Sequence, residues 1–225
     1  MHLRILSALI TLACAAAAFA QDENVIGPVD AFQVRYASNL NKGDSVINIT
    51  NTGSSDEPLL GVGNICANVY TFDPSEEMVS CCSCLITPNA LVSLSVQADL
   101  ISNTLSPSTP TAVVVKLVAS SPIGAAVAGT SGTDCNPASI SPLLEGEAVN
   151  ESYLVPGMRA WGTTLHALPS TPASYALTES RFVDGGLSRA ELTHLTSFCG
   201  FIQANGSGFG ICKSCRAGGL GGAKN

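Results

Sequence analysis

From Val29 to about Arg181 the chain is a succession of short apolar runs rich in Val, Ile, Leu, Thr and Ser, each cut off by Gly, Pro, Asn or Asp. Phe32, Val34 and Tyr36 alternate with polar or small neighbours, and Ser45 to Thr50 is β-branched and stops at Asn51-Thr52-Gly53. Ile65 to Phe72 stops at Asp73-Pro74. Each run predicts a strand, because a period of two suits a pleated surface and the residues that follow favour turns. Met78 to Cys84 and Leu91 to Val96 add two more. In Thr111 to Ala119, Val113, Val114, Val115, Leu117 and Val118 leave almost no polar face, which predicts burial on both sides. Between Ser120 and Asn150 the pattern weakens into a small-residue, loop-like stretch. Met158 to Ala167 and Ser174 to Val183 then flank Pro169-Ser170-Thr171-Pro172 as the arms of a hairpin would.

After Gly185-Gly186 the period changes. Ser188 followed by Glu191 is a capping-box pattern, and Asn205-Gly206 supplies a left-handed stop, so a helix is expected over Ser188 to Ala204. Leu192, Leu195, Phe198, Cys199, Phe201 and Ile202 fall on one half of its wheel, which must pack on something apolar. These elements predict a mainly β fold, an antiparallel immunoglobulin-like β-sandwich over residues 21–185. A C-terminal α-helix and a cysteine-rich tail (186–217) would pack on it, followed by a flexible glycine-rich end (218–225).

The first twenty residues change the picture of where this fold lives. A basic start at Arg4, an apolar run from Ile5 to Ala13 and the small-residue site Ala18-Phe19-Ala20 form a signal-peptide pattern, with cleavage expected before Gln21. The run is too short to span a bilayer, and no later segment is apolar for long enough, so no transmembrane segment is expected after cleavage. The formal net charge of the chain is −7, with scattered basic residues, and loss of Arg4 makes it more negative. Nucleic acid and anionic membrane surfaces are therefore poor partners, since both require a positive patch.

Nine cysteines occur, and Cys14 leaves with the signal. The remaining Cys66, Cys81, Cys82, Cys84, Cys135, Cys199, Cys212 and Cys215 form an even set, which in an oxidising compartment reads first as four disulfides of undetermined pairing. Alternate residues of a strand share a face, so Cys82 and Cys84 should point one way and Cys81 the other. That arrangement suits separate bridges better than one tetrahedral metal site, and a bridge between neighbours Cys81 and Cys82 would be strained. Cys199, on the apolar face of the helix, can bond either to the sandwich or to the returning tail. Cys212-Lys213-Ser214-Cys215 has the spacing of a redox dithiol, but Arg216-Ala217-Gly218-Gly219 starts no helix to stabilise a thiolate, and the pair is expected to staple the tail onto the helix.

Other chemistry is thin. His166 and His194 lack spaced partners, and Gly129-Thr130-Ser131-Gly132-Thr133 and Gly206-Ser207-Gly208 both miss the nucleophile-elbow pattern. Gly61-Val62-Gly63 reads as a turn, and Asn48, Asn150 and Asn205 begin N-x-[ST] triplets of a kind that arise by chance. Trp161 reads as hairpin or core packing before a sugar platform. No catalytic residue, cofactor or resident metal is expected.

Three stretches taken together carry a likeness: Gly63 to Tyr70 with Cys81-Cys82-Ser83-Cys84, Arg159 to His166, and Phe198-Cys199-Gly200-Phe201-Ile202 with Cys212-Lys213-Ser214-Cys215. The chain resembles a family of exported, cysteine-rich bacterial proteins without an established activity. The resemblance implies a bacterial origin and a place outside the cytoplasm, and it carries over no functional residue. The expectation is an exported, disulfide-stabilised, non-enzymatic structural, adhesive or binding protein, secreted or held in the periplasm or at the cell surface. Its partner would be a surface polymer, another protein or a second copy. The rival expectations are a thiol-redox or metal-binding protein using the clustered cysteines, and a secreted hydrolase built around His166 or His194.

Overall fold

A computed structural model describes residues 25–54, 63–102, 104, 108–123, 133–142, 152–169, 171, 173–205, 212 and 215–217. The expected signal peptide, the glycine-rich end, the Gly61-Val62 turn, the Gly129 to Gly132 and Gly206-Ser207-Gly208 motifs and Asn150 lie outside the described residues.

The fold is mainly β. Its strands are β1 (Val25–Ile26), β2 (Phe32–Ala37), β3 (Val46–Asn51), β4 (Ile65–Phe72), β5 (Met78–Ile86), β6 (Leu91–Ser95), β7 (Val113–Ser120), β8 (Met158–Ala167), β9 (Tyr175–Arg181), β10 (Val183–Asp184), β11 (Leu187–Ser188) and β12 (Arg216–Ala217), with one long helix, α1 (Arg189–Asn205). Two five-stranded antiparallel sheets, ordered β10-β2-β7-β4-β5 and β12-β6-β3-β8-β9, face each other, and β1 pairs with β11 in a small third sheet. No described helix is long and apolar enough to cross a membrane.

The layering explains the sequence pattern. Ile65, Ala67, Val69, Val115 and Leu117 of the first sheet meet Ile47, Ile49, Leu94, Met158 and Ala160 of the second in one core. The opposite face of the first sheet does not reach water, because α1 lies across it: Phe32, Tyr70, Phe72, Met78 and Val118 pack on Leu187, Leu192, Leu195, Cys199 and Ile202. Hence every residue of β4 is buried and β7 is nearly so, whereas β3, with one open face, alternates. Full burial of one such Leu or Ile contributes about 1.5–3 kcal/mol.

The helix differs from expectation at its margins. Glu191 N–H donates to Ser188 Oγ at 3.1 Å, but the Glu191 carboxylate, instead of closing the box, pairs with Lys116 Nζ of β7 at 2.6 Å. Only the narrow stripe Leu192, Leu195, Cys199 and Ile202 is buried; Phe198 and Phe201 remain 49% and 57% exposed. A flat sheet touches less than half of a helical cylinder, so residues at the edge of a wide apolar arc stay in solvent. The stretch after Ser120 also holds more order than its composition suggests. Isolated bridges join Ser120 to Leu154, Ile123 to Asp134 and Ile140 to Ser152, and Pro137 O accepts from the buried Tyr70 hydroxyl at 2.6 Å.

Candidate functional site

The cysteines define one side of the sandwich. Bridges join Cys66 to Cys135, Cys81 to Cys199, Cys82 to Cys212 and Cys84 to Cys215. The strand period places Cys82 and Cys84 on the intersheet face of β5 and Cys81 on the face under α1, so neighbouring cysteines take separate partners. Cys199 thus bonds to the sheet. The tail is not stapled onto the helix, as its position after α1 had suggested: Cys212 and Cys215 both bond to β5, while Arg216–Ala217 pairs with β6 of the other sheet. A tail anchored to one sheet through sulfur and to the other through backbone sews their adjoining edges together.

This connectivity decides what the sulfur can do. Cys212 and Cys215 are not bonded to each other, so the four-residue spacing is not a dithiol couple. The sulfurs of Cys84, Cys212 and Cys215 lie within 4.8 Å of one another, near enough to share an ion. Each is held in an S–S bond, and only a thiolate is a strong ligand or nucleophile. Disulfides of this number belong to an oxidising compartment.

The opposite side, where β2 and β10 of the first sheet face β8 and β9 of the second, has no bridge among the described residues. A cavity of about 400 Å³ opens there. It is built by the facing of β2. Phe32 and Val34 turn toward the helix layer, while Gln33, Arg35 and Ala37 point between the sheets. Gln33 Nε2 donates to Met158 O at 2.9 Å. Arg35 reaches further out: Nη1 donates to Thr163 O at 3.0 Å and Thr164 Oγ1 at 2.9 Å, and Nη2 donates to Ser180 Oγ at 3.1 Å.

Room for this side chain comes from Gly162, since a Cβ there would stand 2.9 Å from Arg35 Nη1. Arg35 Nε is buried and donates to no acceptor. Among the described residues no carboxylate lies within ion-pair distance of the guanidinium, whereas Lys116 and Arg159 are paired with Glu191 and Asp30. Partial burial pushes the Arg35 pKa below the usual arginine range, the charges of Tyr36 and Glu179 opposing the shift; the group stays a cation at any ordinary pH.

Arg181, His166 and Thr178 complete the polar lining, the last two joined by a hydrogen bond of 2.8 Å between Nε2 and Oγ1. His194 lies elsewhere, edge-on to Phe198 at 4.5 Å and 3.9 Å from a Glu191 oxygen. The two histidines are thus placed in different parts of the molecule, one in the open side of the sandwich and one on α1. Trp161 packs across the β8–β9 hairpin, opposite Arg181, whose guanidinium carbon is 6.0 Å from the ring centre. Asn48 is engaged within the sheet surface with Ser93 and Glu179, and Asn205 caps back onto Phe201 O.

The arrangement is a rigid frame with one sewn side and one open, hydroxyl-lined, cationic cleft. No protein-family model matches the chain, and no curated protein or solved structure proves similar to it.

Proposed function

We propose that this is an exported, disulfide-stabilised, non-enzymatic binding protein that works at the bacterial cell surface or in the surrounding medium. The observation that carries the reading is the asymmetry of the sandwich: every cysteine from Cys66 onward is spent on a bridge, and the side without bridges presents the cleft around Arg35. Ligand sites on strands of a locked framework are pre-ordered, which lowers the cost of binding. The framework is immunoglobulin-like in its layering, two antiparallel sheets around one core. Its strand order is its own, because β2 and β3 lie in different sheets, whereas the first two strands of that fold are neighbours in one sheet.

The test begins with intact mass, thiol counting and metal analysis on protein purified from outside its host. A chain starting at Gln21, eight hydrogens light and free of metal, is expected. That material should then retain surface polymers of the host, another host protein or its own copies in a pull-down under non-reducing conditions. Free thiols at Cys81 to Cys84 or at Cys212 and Cys215, or stoichiometric metal, would transfer the assignment to sulfur chemistry.

A further inference from the structure

The cleft around Arg35 has a chemistry more specific than its volume. A cation held between two sheets ordinarily meets a carboxylate, because burial removes its hydration. Here the direct acceptors are neutral: the carbonyls of Tyr36 and Thr163 and the hydroxyls of Thr164 and Ser180. Glu179, the carboxylate that acts on Arg35 after Tyr36, accepts from Asn48 Nδ2 at 3.3 Å on the outer face of the second sheet. The cleft is therefore locally positive in a chain whose formal charge is −7.

Its remaining surfaces are of two kinds. Thr164, Thr178, Ser180 and His166 offer hydroxyl and imidazole groups along one wall. Val34, Val114 and Val183 give an apolar wall, with the exposed Tyr36 ring at the mouth. An acidic sugar presents the same two kinds of surface beside a single negative charge: ring hydroxyls at its edges and C–H groups on its face. A phosphate dianion would call for converging cations; the second arginine of the lining, Arg181, holds its guanidinium over the Trp161 ring, which leaves Arg35 as the cation between the sheets.

We propose that this cleft binds the carboxylate-bearing sugar units of an anionic polysaccharide, with Arg35 taking the carboxylate. This rests on the reading of the protein as a surface-binding framework and names the ligand class for it. Among the described residues the Nη2 group of Arg35 makes one bond, to Ser180, so one of its two N–H donors remains for a carboxylate oxygen. The hydroxyls of Thr178 and Ser180 are placed to exchange hydrogen bonds with ring hydroxyls. Binding should weaken with salt, as expected for a partly exposed charge pair.

The experiment is calorimetric titration of the full, oxidised protein with a uronic-acid oligomer, its neutral-sugar counterpart and an acidic peptide of equal charge. The uronic-acid oligomer should bind about tenfold or more tightly than either control. Arg35→Met should remove that preference. Because Arg35 also ties the sheets together, Val183→Glu serves as the second variant; Val183 is 71% exposed and lines the cleft, so a negative charge there should repel the ligand by a similar factor without disturbing the core. Equal binding of the neutral oligomer, stronger binding of the peptide, or indifference to Val183→Glu would overturn the assignment. If the protein still retains a host polymer or its own copies when Val183→Glu and Arg35→Met change nothing, the cleft assignment fails while the binding-protein reading stands. Shortening of the oligomer during titration, with retained sensitivity to both variants, would instead keep the cleft and remove the non-enzymatic reading.

Discussion

Replacing both cysteines of one bridge at a time with alanine tests how the four disulfides share the work of stabilising this chain. Taken singly, the bridges close 69, 118, 130 and 131 residues, with Cys66–Cys135 the shortest loop. On sequence separation alone, chain entropy ranks Cys66–Cys135 lowest, at about 4.4 kcal/mol, and Cys84–Cys215 highest, at about 5 kcal/mol. The connectivity reverses that order. Cys81, Cys82 and Cys84 leave one strand, and their partners lie close together near the C-terminal end, so each of these bridges leaves a covalent short cut when another is removed.

With the other two intact, Cys81 and Cys199 are still joined by a detour of about 14 residues, and closing it is worth about 3 kcal/mol. Cys82–Cys212 and Cys84–Cys215 each close a detour of about five residues, worth about 2 kcal/mol by the same relation. Cys66–Cys135 has no short cut and keeps its full value. Cys66, Cys81, Cys82 and Cys84 are all at most 3% exposed, but of their partners Cys199 and Cys212 are buried, Cys135 is half-buried and Cys215 is exposed, so the cavity cost of alanine is smallest for Cys84–Cys215 and leaves its place below Cys66–Cys135 unchanged. Equilibrium guanidinium unfolding of the four double-alanine proteins, with the remaining bridges confirmed by peptide mapping, measures the order directly. If Cys66→Ala/Cys135→Ala is the mildest change and losses rise with sequence separation, the short-cut argument is wrong.

Limiting phosphine at neutral pH should open Cys84–Cys215 first, because Cys215 is exposed while Cys199 and Cys212 are buried; alkylation followed by mass mapping reads the order. Tyr70 is fully buried and its pKa is raised by burial, so its proton is held more tightly in the folded state than in the unfolded one. The stability this contributes is complete below the unfolded tyrosine pKa of about 10 and falls above it by about 1.4 kcal/mol per pH unit, which unfolding titrations from pH 9 upward should show, and which Tyr70→Phe should abolish. Leu195→Ala, at a residue with no exposed surface, should cost about 2–5 kcal/mol, whereas Phe201→Ala should stay within about 0.5 kcal/mol despite removing a larger group, as thermal melts of the two variants can decide.

Much of the fold was legible because its long strands and its helix obey strong periodicities. The run Val113 to Val118 announced burial on both faces, and the spacing of Cys81, Cys82 and Cys84 announced opposite sides of a strand. The two-residue strands and the π-turn at Val96–Leu100 carry no periodic signal, being made by tertiary contacts such as the Gln97 N–H bond to Asp44. Disulfide partners were not readable, since they depend on where a distant tail returns. The cleft was hidden by β2. Phe32, Val34 and Tyr36 alternate with polar or small neighbours, but it is the set with Gln33 and Arg35 that points between the sheets, while Tyr36 stays exposed. The only trace of the inward Arg35 is Gly162 in a strand of otherwise larger residues, and a lone strand glycine becomes informative once its neighbour across the sheets is known.

The bridge pattern also fixes how the molecule would answer to force. Tension applied between Val25 and Cys215 passes along the chain only to Cys84 and then leaves through sulfur, so about 60 residues can be drawn out, for an extension near 200 Å at about 3.5 Å per residue. Strands β6 to β9 and helix α1 lie inside the covalent loop and bear none of the load. The helix layer and the β8–β9 arm would therefore carry no tension, yet they would lose their packing as β2 to β4 are drawn from beneath and beside them.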